Sequence, residues 1–265
     1  MQRLAWFACA LALGACADDD DAIDGRSVVL VHGAWNGAWA WQDVAAGLEA
    51  RGAEVTVVEL PAHGEDQTPI AQVSLRAYID TVEAAIDAAP GPVMLVGHSM
   101  GGVVVTEAAD ERAAKLDRLV YVTAFVPKAG ESLLGLRMQD ADSELGAALT
   151  IEMAQGIAGV MSDRLTPVFC ADCATTANTK LHAAYRDEPL GPFAEPAKLD
   201  DGGWVGVPKF YLYAAADHAI SPANQQAMTA GISWQATASL ATSHSPFLSH
   251  PDDVVDVLVE FAAVR

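Results

Sequence analysis

The chain has 265 residues, 52% of them hydrophobic and 19% charged, with 35 acidic against 15 basic side chains and a formal net charge of −20. That much apolar side chain fills one large core, which excludes a disordered chain. Nucleic-acid binding needs cations to displace counterions, so the acidic balance excludes that class of partner.

Arg3 precedes an apolar run from Leu4 to Leu13, too short to span a bilayer as a helix. Residues 1–15 therefore read as an export signal. The signal ends Leu13-Gly14-Ala15-Cys16, the form of a bacterial lipobox, in which Cys16 is lipidated and becomes the first residue. The alternative is ordinary cleavage at a small residue near position 15 or 17. Either way the expectation is an exported protein facing the periplasm or cell surface, meeting a membrane only through an N-terminal lipid. The four like charges Asp18 to Asp21 repel one another and stay solvated, so 16–26 reads as an acidic tether. One acidic run without a second ligand segment is a poor calcium site.

From residue 27 apolar strands alternate with helical patterns. Ser27 to Val31 is a continuous apolar run, as in a strand buried on both faces. A helix follows over 37–50, closed at Arg51-Gly52, then a strand from Glu54 to Leu60. Leu75 to Ala88 reads as a helix with Tyr78, Ile79, Val82 and Ile86 on one face. Strands at Pro92 to Val96 and Leu116 to Thr123 flank a helix at Val103 to Ala114. This alternation implies right-handed crossovers and a mostly parallel, doubly wound sheet.

The alternation pauses over about 127–206, where no clear strand is expected. Leu145, Leu149, Met153, Ile157 and Met161 recur every fourth residue and predict an amphipathic helix, while Asp187 to Pro196 reads as loop. The segment is expected to be a helical lid inserted into a single α/β domain over 27–265. It contains Cys170-Ala-Asp-Cys173, the two cysteines left after the signal region. A local disulfide or plain thiols suit them better than zinc, for which His182 is the only nearby further ligand. Strands from Val207 to Ala214 and Ile232 to Ala238 then alternate with helices from Pro222 to Ala230 and Pro251 to Ala263.

Gly97-His98-Ser99-Met100-Gly101 sits between a strand and a helix, the setting a G-x-S-x-G nucleophile elbow requires. A serine hydroxyl needs a base to take its proton, and the base needs an acid to hold it. In the order Ser, acid, His, the candidates are Ser99, Asp217 after a late strand, and His244 after the next. His218 is on the wrong loop, and His250 reads as a surface or capping residue. His98 should point away under the turn, and His63 and His182 read as structural and solvated. Asp200 and Asp201 come before the last strands and are weak acid candidates. The oxyanion needs two amides: Met100, after the nucleophile, and Ala34 or else Trp35, in the loop after the first strand. Trp35, Trp39 and Trp41 either shape the pocket or pack in the core.

At these residues the sequence resembles the α/β-hydrolase superfamily. The motifs are His32-Gly33-Ala34-Trp35, Leu60-Pro61-Ala62-His63-Gly64 and Gly97 to Gly102, together with Asp217 and His244. It is similar there to plant-type methyl esterases, hydroxynitrile lyases and bacterial pyrethroid-hydrolase-like esterases. The resemblance implies an α/β-hydrolase fold, a Ser99–His244–Asp217 triad, oxyanion amides at Ala34 and Met100, and no cofactor or metal. The implied substrate is a small-molecule carboxylic ester, and the apolar insertion suggests a hydrophobic one. Hydroxynitrile lyases carry a Lys after the catalytic His, where this chain has Ser245, so lyase activity is disfavoured. Acyl transfer on the same triad and a non-catalytic receptor are the other readings the fold permits.

Overall fold

The computed structural model describes residues 22–200 and 202–265. In chain order the elements are β1 (Ser27–Val31), a 3₁₀ turn at Ala38–Trp41, α1 (Gln42–Glu49), β2 (Glu54–Val58), α2 (Leu75–Ala88), β3 (Val93–His98), α3 (Gly101–Arg112) and β4 (Leu116–Val122). The insertion holds α4 (Leu133–Met138), α5 (Leu145–Ala148), β5 (Leu149–Glu152), β6 (Ile157–Val160), α6 (Ser162–Phe169), α7 (Thr175–Ala184), β7 (Glu188–Pro189), α8 (Gly191–Ala194) and α9 (Gly203–Gly206). The core then closes with β8 (Lys209–Ala214), α10 (Pro222–Thr229), β9 (Ala236–Leu240), α11 (Pro246–Ser249) and α12 (Pro251–Ala263).

The main sheet has the order β2-β1-β3-β4-β8-β9, and every pair in it is parallel. The central strands are buried on both faces, which is why they read as unbroken apolar runs. The edge strands β2 and β9 alternate in exposure instead. Helix α1 packs with α12, and α2 with α3. From β1 the chain runs to β2 at one edge and returns to β3 on the other side of β1. That reversal opens a crevice beyond the carboxyl ends of β1 and β3, where ligands bind in such sheets.

Start signals act where the sequence places them. Ser74 caps α2 by accepting from the Ala77 amide, and Ser221 caps α10 by accepting from Asn224. Pro251 opens α12, with Asp252 and Asp253 in its first turn, where the helix dipole favours acids.

Four expectations are corrected. Residues 23–26, expected within a solvated tether, belong to the fold: Ile23 is fully buried in the core, and the Gly25 amide donates to the Gly52 carbonyl at 2.9 Å. Burying one isoleucine contributes about 1.5–3 kcal/mol, enough to dock a short segment against the solvation of its acidic neighbours. The insertion is not free of strands: β5, β6 and β7 form a small antiparallel sheet. The predicted helix across Leu145 to Met161 survives only as α5. The chain then turns back at Gly156, whose φ of +69° suits glycine, so β5 and β6 pair as a hairpin. A four-residue apolar spacing that crosses a turn mimics a helix face. The stretch Asp187–Pro196, expected as loop, carries β7 and α8.

Candidate active site

Ser99 lies in the turn joining β3 to α3, with a φ of +52°, in the left-handed region that costs a non-glycine residue about 1–3 kcal/mol. The surrounding packing holds it there. The Ser99 carbonyl accepts from the Gly102 amide at 3.0 Å and the Phe125 amide at 3.1 Å. Glycines make the turn possible: a Cβ on Gly97 would meet the Val105 side chain at 2.6 Å, and one on Gly102 the Phe125 carbonyl oxygen at 2.2 Å. α3 is buried on nearly every side, so it carries no amphipathic stripe to announce itself.

Asp217 follows β8 and His244 follows β9, and both side chains are buried. His244 Nδ1 donates to Asp217 Oδ2 at 2.7 Å. That bond fixes the tautomer and leaves Nε2 as the basic nitrogen. Asp217 is itself held: Oδ1 accepts from the amides of Ala219 at 2.7 Å and Ile220 at 2.9 Å, and Oδ2 from Gln225 Nε2 at 3.0 Å. Among the described residues no hydrogen bond joins Ser99 Oγ to His244, a link that commonly tightens only with substrate in place.

The His244 backbone is anchored by residues whose role the sequence did not reveal. Its carbonyl accepts from His98 Nε2 at 3.0 Å and from Thr123 Oγ1 at 3.1 Å. Burial, and then the neighbouring His244, hold the His98 pKa well below its usual value, so it stays neutral beneath the turn. The preceding residue, Ser243, donates through its amide to Asp172 Oδ2 at 3.1 Å and through its hydroxyl to Asp172 Oδ1. Asp172 lies between Cys170 and Cys173, which form a disulfide with a Cα–Cα distance of 5.1 Å. The bridge therefore closes a loop that grips the segment carrying His244.

In the loop after β1, one of the two candidate oxyanion amides is already engaged. The Trp35 amide donates to Glu188 Oε2 at 3.0 Å and is spent. Ala34 and Met100 amides donate to no other protein group among the described residues, and both residues line the same pocket as Ser99. Trp35 lines that pocket too, at a φ of +59°, with its indole Nε1 donating to the Ala158 carbonyl of β6 at 2.8 Å. Trp41 instead packs in the core against Phe247 and His98. Trp39 lines a separate cleft of about 860 Å³ between α1 and the end of α7, away from Ser99.

Glu188 is the residue that sequence reasoning missed most completely. From β7 it binds the Trp35 amide, His63 Nε2 at 2.7 Å and the Tyr78 hydroxyl at 3.1 Å, all out of solvent. The insertion and the loop after β1 are thus tied by one carboxylate. Burial alone lowers the His63 pKa, but the charge and hydrogen bond of Glu188 outweigh it, so the value is raised. A raised folded-state pKa contributes stability that is full below the ordinary histidine value, near 6.5, and is lost as pH rises through the folded value. Glu188→Gln removes that contribution. The gap in melting temperature between wild type and this variant is expected to be widest near pH 6 and to narrow toward alkaline pH. Thermal melts across that range check it, and a gap that widens with pH would contradict the ion pair.

The remaining candidates do not converge on Ser99. His218 lies 3.3 Å from Glu144, His250 stands just before α12 without a side-chain capping bond and sits 3.5 Å from Asp172, and exposed His182 bonds Thr166. Asp200 is exposed, and Asp201 and Cys16 lie outside the described residues. Among the described residues no group of three or more His, Cys, Asp or Glu is arranged to hold a metal ion, and no helix is long and apolar enough to cross a membrane.

The pocket over Ser99 is almost closed, with about 20 Å³ of space, room for about one water. Leu133, Leu134, Leu145 and Phe193 of the insertion cover it.

The chain is 27% identical over 244 residues to a pyrethroid hydrolase of Sphingobium wenxiniae, a match covering 89% of this chain and 87% of that protein. It is 40% identical over 125 residues to a carbendazim hydrolyzing esterase of a Nocardioides species, covering 45% of this chain. The match spans only half the length of that esterase. The solved structure of polyneuridine aldehyde esterase superposes with a TM-score of 0.81 over 90% of this chain and 100% of its own, at 20% identity, a likeness of fold alone. The family model described as "Alpha/beta hydrolase family" matches residues 28–257, from the first strand into the last helix, and this chain belongs to that family.

Proposed function

We propose that the protein is a serine hydrolase that cleaves small carboxylic esters through an acyl-enzyme on Ser99. The observation that carries this reading is the strained elbow at Ser99 facing two amides with no protein partner, on the same sheet edge as the His244–Asp217 pair. Ser99 Oγ attacks the ester carbonyl while His244 Nε2 takes its proton. The carbonyl oxygen, now an anion, accepts from the Ala34 and Met100 amides, which need not reorganise because the folded loops already hold them. His244 returns the proton to the leaving alcohol. Water, deprotonated by the same histidine, then releases the acid and restores Ser99. Asp217 orients the ring and stabilises the imidazolium. The relatives are named esterases and hydrolases, which supports ester cleavage over other chemistry of the fold.

A fluorophosphonate probe, followed by a panel of aryl and alkyl esters, tests the reading. Labelling at Ser99 with turnover is the expected result. Labelling without turnover of any ester would favour a receptor.

The export reading is part of the proposal. Its supports are the Leu13-Gly14-Ala15-Cys16 sequence and a disulfide that suits an oxidising compartment. Expressed with its own signal, the protein is expected in the membrane fraction, with a diacylglyceryl mass on its N-terminal peptide. Cys16→Ser is expected to move it to the soluble fraction. An unmodified peptide beginning near residue 16 or 18 would refute lipidation.

A further inference from the structure

The segment that carries His244 is held from the insertion by one short turn. Cys170 follows α6 and Cys173 stands just before α7, with only Ala171 and Asp172 between them. Asp172 accepts from the Ser243 amide at 3.1 Å and from the Ser243 hydroxyl. Ser243 is almost wholly buried, while the hydroxyls of Thr242 and Ser245 on either side are buried without a partner among the described residues. Ser243 is thus the anchored hydroxyl of this stretch. His250 Nδ1 stands farther from Asp172, at 3.5 Å, beyond a good hydrogen bond. The end of α6 reaches the same segment, with the Phe169 ring centroid 5.8 Å from that of His244.

A carboxylate that takes both donors of one residue fixes that residue only as firmly as the carboxylate is itself held. Ala171 and Asp172 are exposed, and an exposed turn without buried apolar contacts opens locally at little cost. One backbone bond closes the turn, from the Cys173 amide to the Cys170 carbonyl at 3.0 Å. The disulfide closes it covalently. We propose that Asp172 is a positioning residue for the base, acting on His244 through Ser243, and that it holds this place only while the Cys170–Cys173 bridge is closed. The proposal rests on the hydrolase reading above. It ties activity to the oxidised state of the chain. A dithiol reductant opens the bridge by exchange. Its thiolate attacks the sulfur of Cys173, the less buried of the two, and Cys170 leaves as a thiolate that takes up a proton. The second thiol of the reagent then displaces Cys173, so the chain is left with two thiols and the reagent becomes a cyclic disulfide. His98 and Thr123 still hold the His244 carbonyl afterwards, so the base is loosened rather than lost.

The test measures kcat and KM on an aryl ester before and after treatment of the full chain with dithiothreitol. Free thiols are counted to show that the bridge has opened, and active sites are counted by phosphonate labelling so that unfolded chains drop out. Reduction is expected to lower kcat per site about tenfold and to change KM less than about twofold, since misplacing a catalytic group costs rate more than binding. The double variant Cys170→Ser, Cys173→Ser is expected to match the reduced wild type and to ignore the reductant. Asp172→Ala is expected to show the same loss with its bridge intact, and Asp172→Asn, which keeps one acceptor, a smaller one. Reducing Asp172→Ala is expected to add little, because the bridge acts through that carboxylate. A disulfide that merely stabilises the fold would lower the melting temperature and leave kcat per site unchanged, and that result overturns the proposal. A full further loss on reducing Asp172→Ala overturns it as well. Hydrogen exchange of the peptide from Leu240 to Pro246 needs no substrate and separates the two readings. Faster exchange in both the reduced chain and Asp172→Ala, without turnover of any ester, would uphold the clamp and sink the hydrolase. Ester turnover and exchange that both ignore reduction would do the reverse.

Discussion

Ser99→Ala is expected to lower kcat on a good aryl ester by about 10⁴–10⁶ and to abolish fluorophosphonate labelling. The variant removes one oxygen from a side chain that the elbow holds by its backbone, through the Gly102 and Phe125 amides, so the fold should survive. Alanine meets the same φ of +52° as serine and adds no steric clash. Melting temperature and circular dichroism therefore serve as controls, and the phosphonate label reports the nucleophile directly. Retention of most of the activity with an unchanged fold would remove Ser99 from the mechanism. Residual rate above background is expected even so, because Ala34 and Met100 remain to polarise a carbonyl for attack by water.

His244→Ala is expected to match the serine variant within about tenfold, since nucleophile and base act as a unit. Asp217→Asn is expected to lose less, about 10⁴, because the ring stays in place. The physical reason is a tautomer. Asp217 Oδ2 accepts from both His244 Nδ1 and Gln225 Nε2. An amide nitrogen at that position would donate to Nδ1 instead, putting the proton on Nε2, the atom that must be bare. The control is His250→Ala, which truncates a half-exposed side chain at the start of α12 and should leave kcat near wild type. If His250→Ala were the more damaging change, the base would be misassigned.

These effects concern residues that the sequence itself picks out. An elbow has a local signature because its chemistry is local: a tight turn demands glycine at Gly97 and Gly102, and the strand before and helix after show in apolar patterning. Chain order then narrows the acid and base to Asp217 and His244, each the polar residue after a late strand. The parallel sheet is legible for a similar reason, since strands buried on both faces, such as Val28 to Val31, leave continuous apolar runs. The α2 and α12 boundaries agree with the sequence reading because apolar periodicity marks both, with a Ser74 cap opening the first and Pro251 the second.

What only the tertiary structure decided lies where partners are far apart in sequence. Glu188 looks like one more solvated acid beside Asp187, yet β7 pairing with β6 buries it against Trp35, His63 and Tyr78. No local pattern encodes which of 35 acidic side chains is taken out of water. The choice between Ala34 and Trp35 as oxyanion donor depends on that same contact, since Glu188 occupies the Trp35 amide. Asp172 reads as a loop residue until the disulfide turn brings it to Ser243. The hairpin of the insertion reads as a helix in sequence because side-chain spacing is counted along the chain, whereas the fold of β5 on β6 is set by hydrogen bonds across the Gly156 turn.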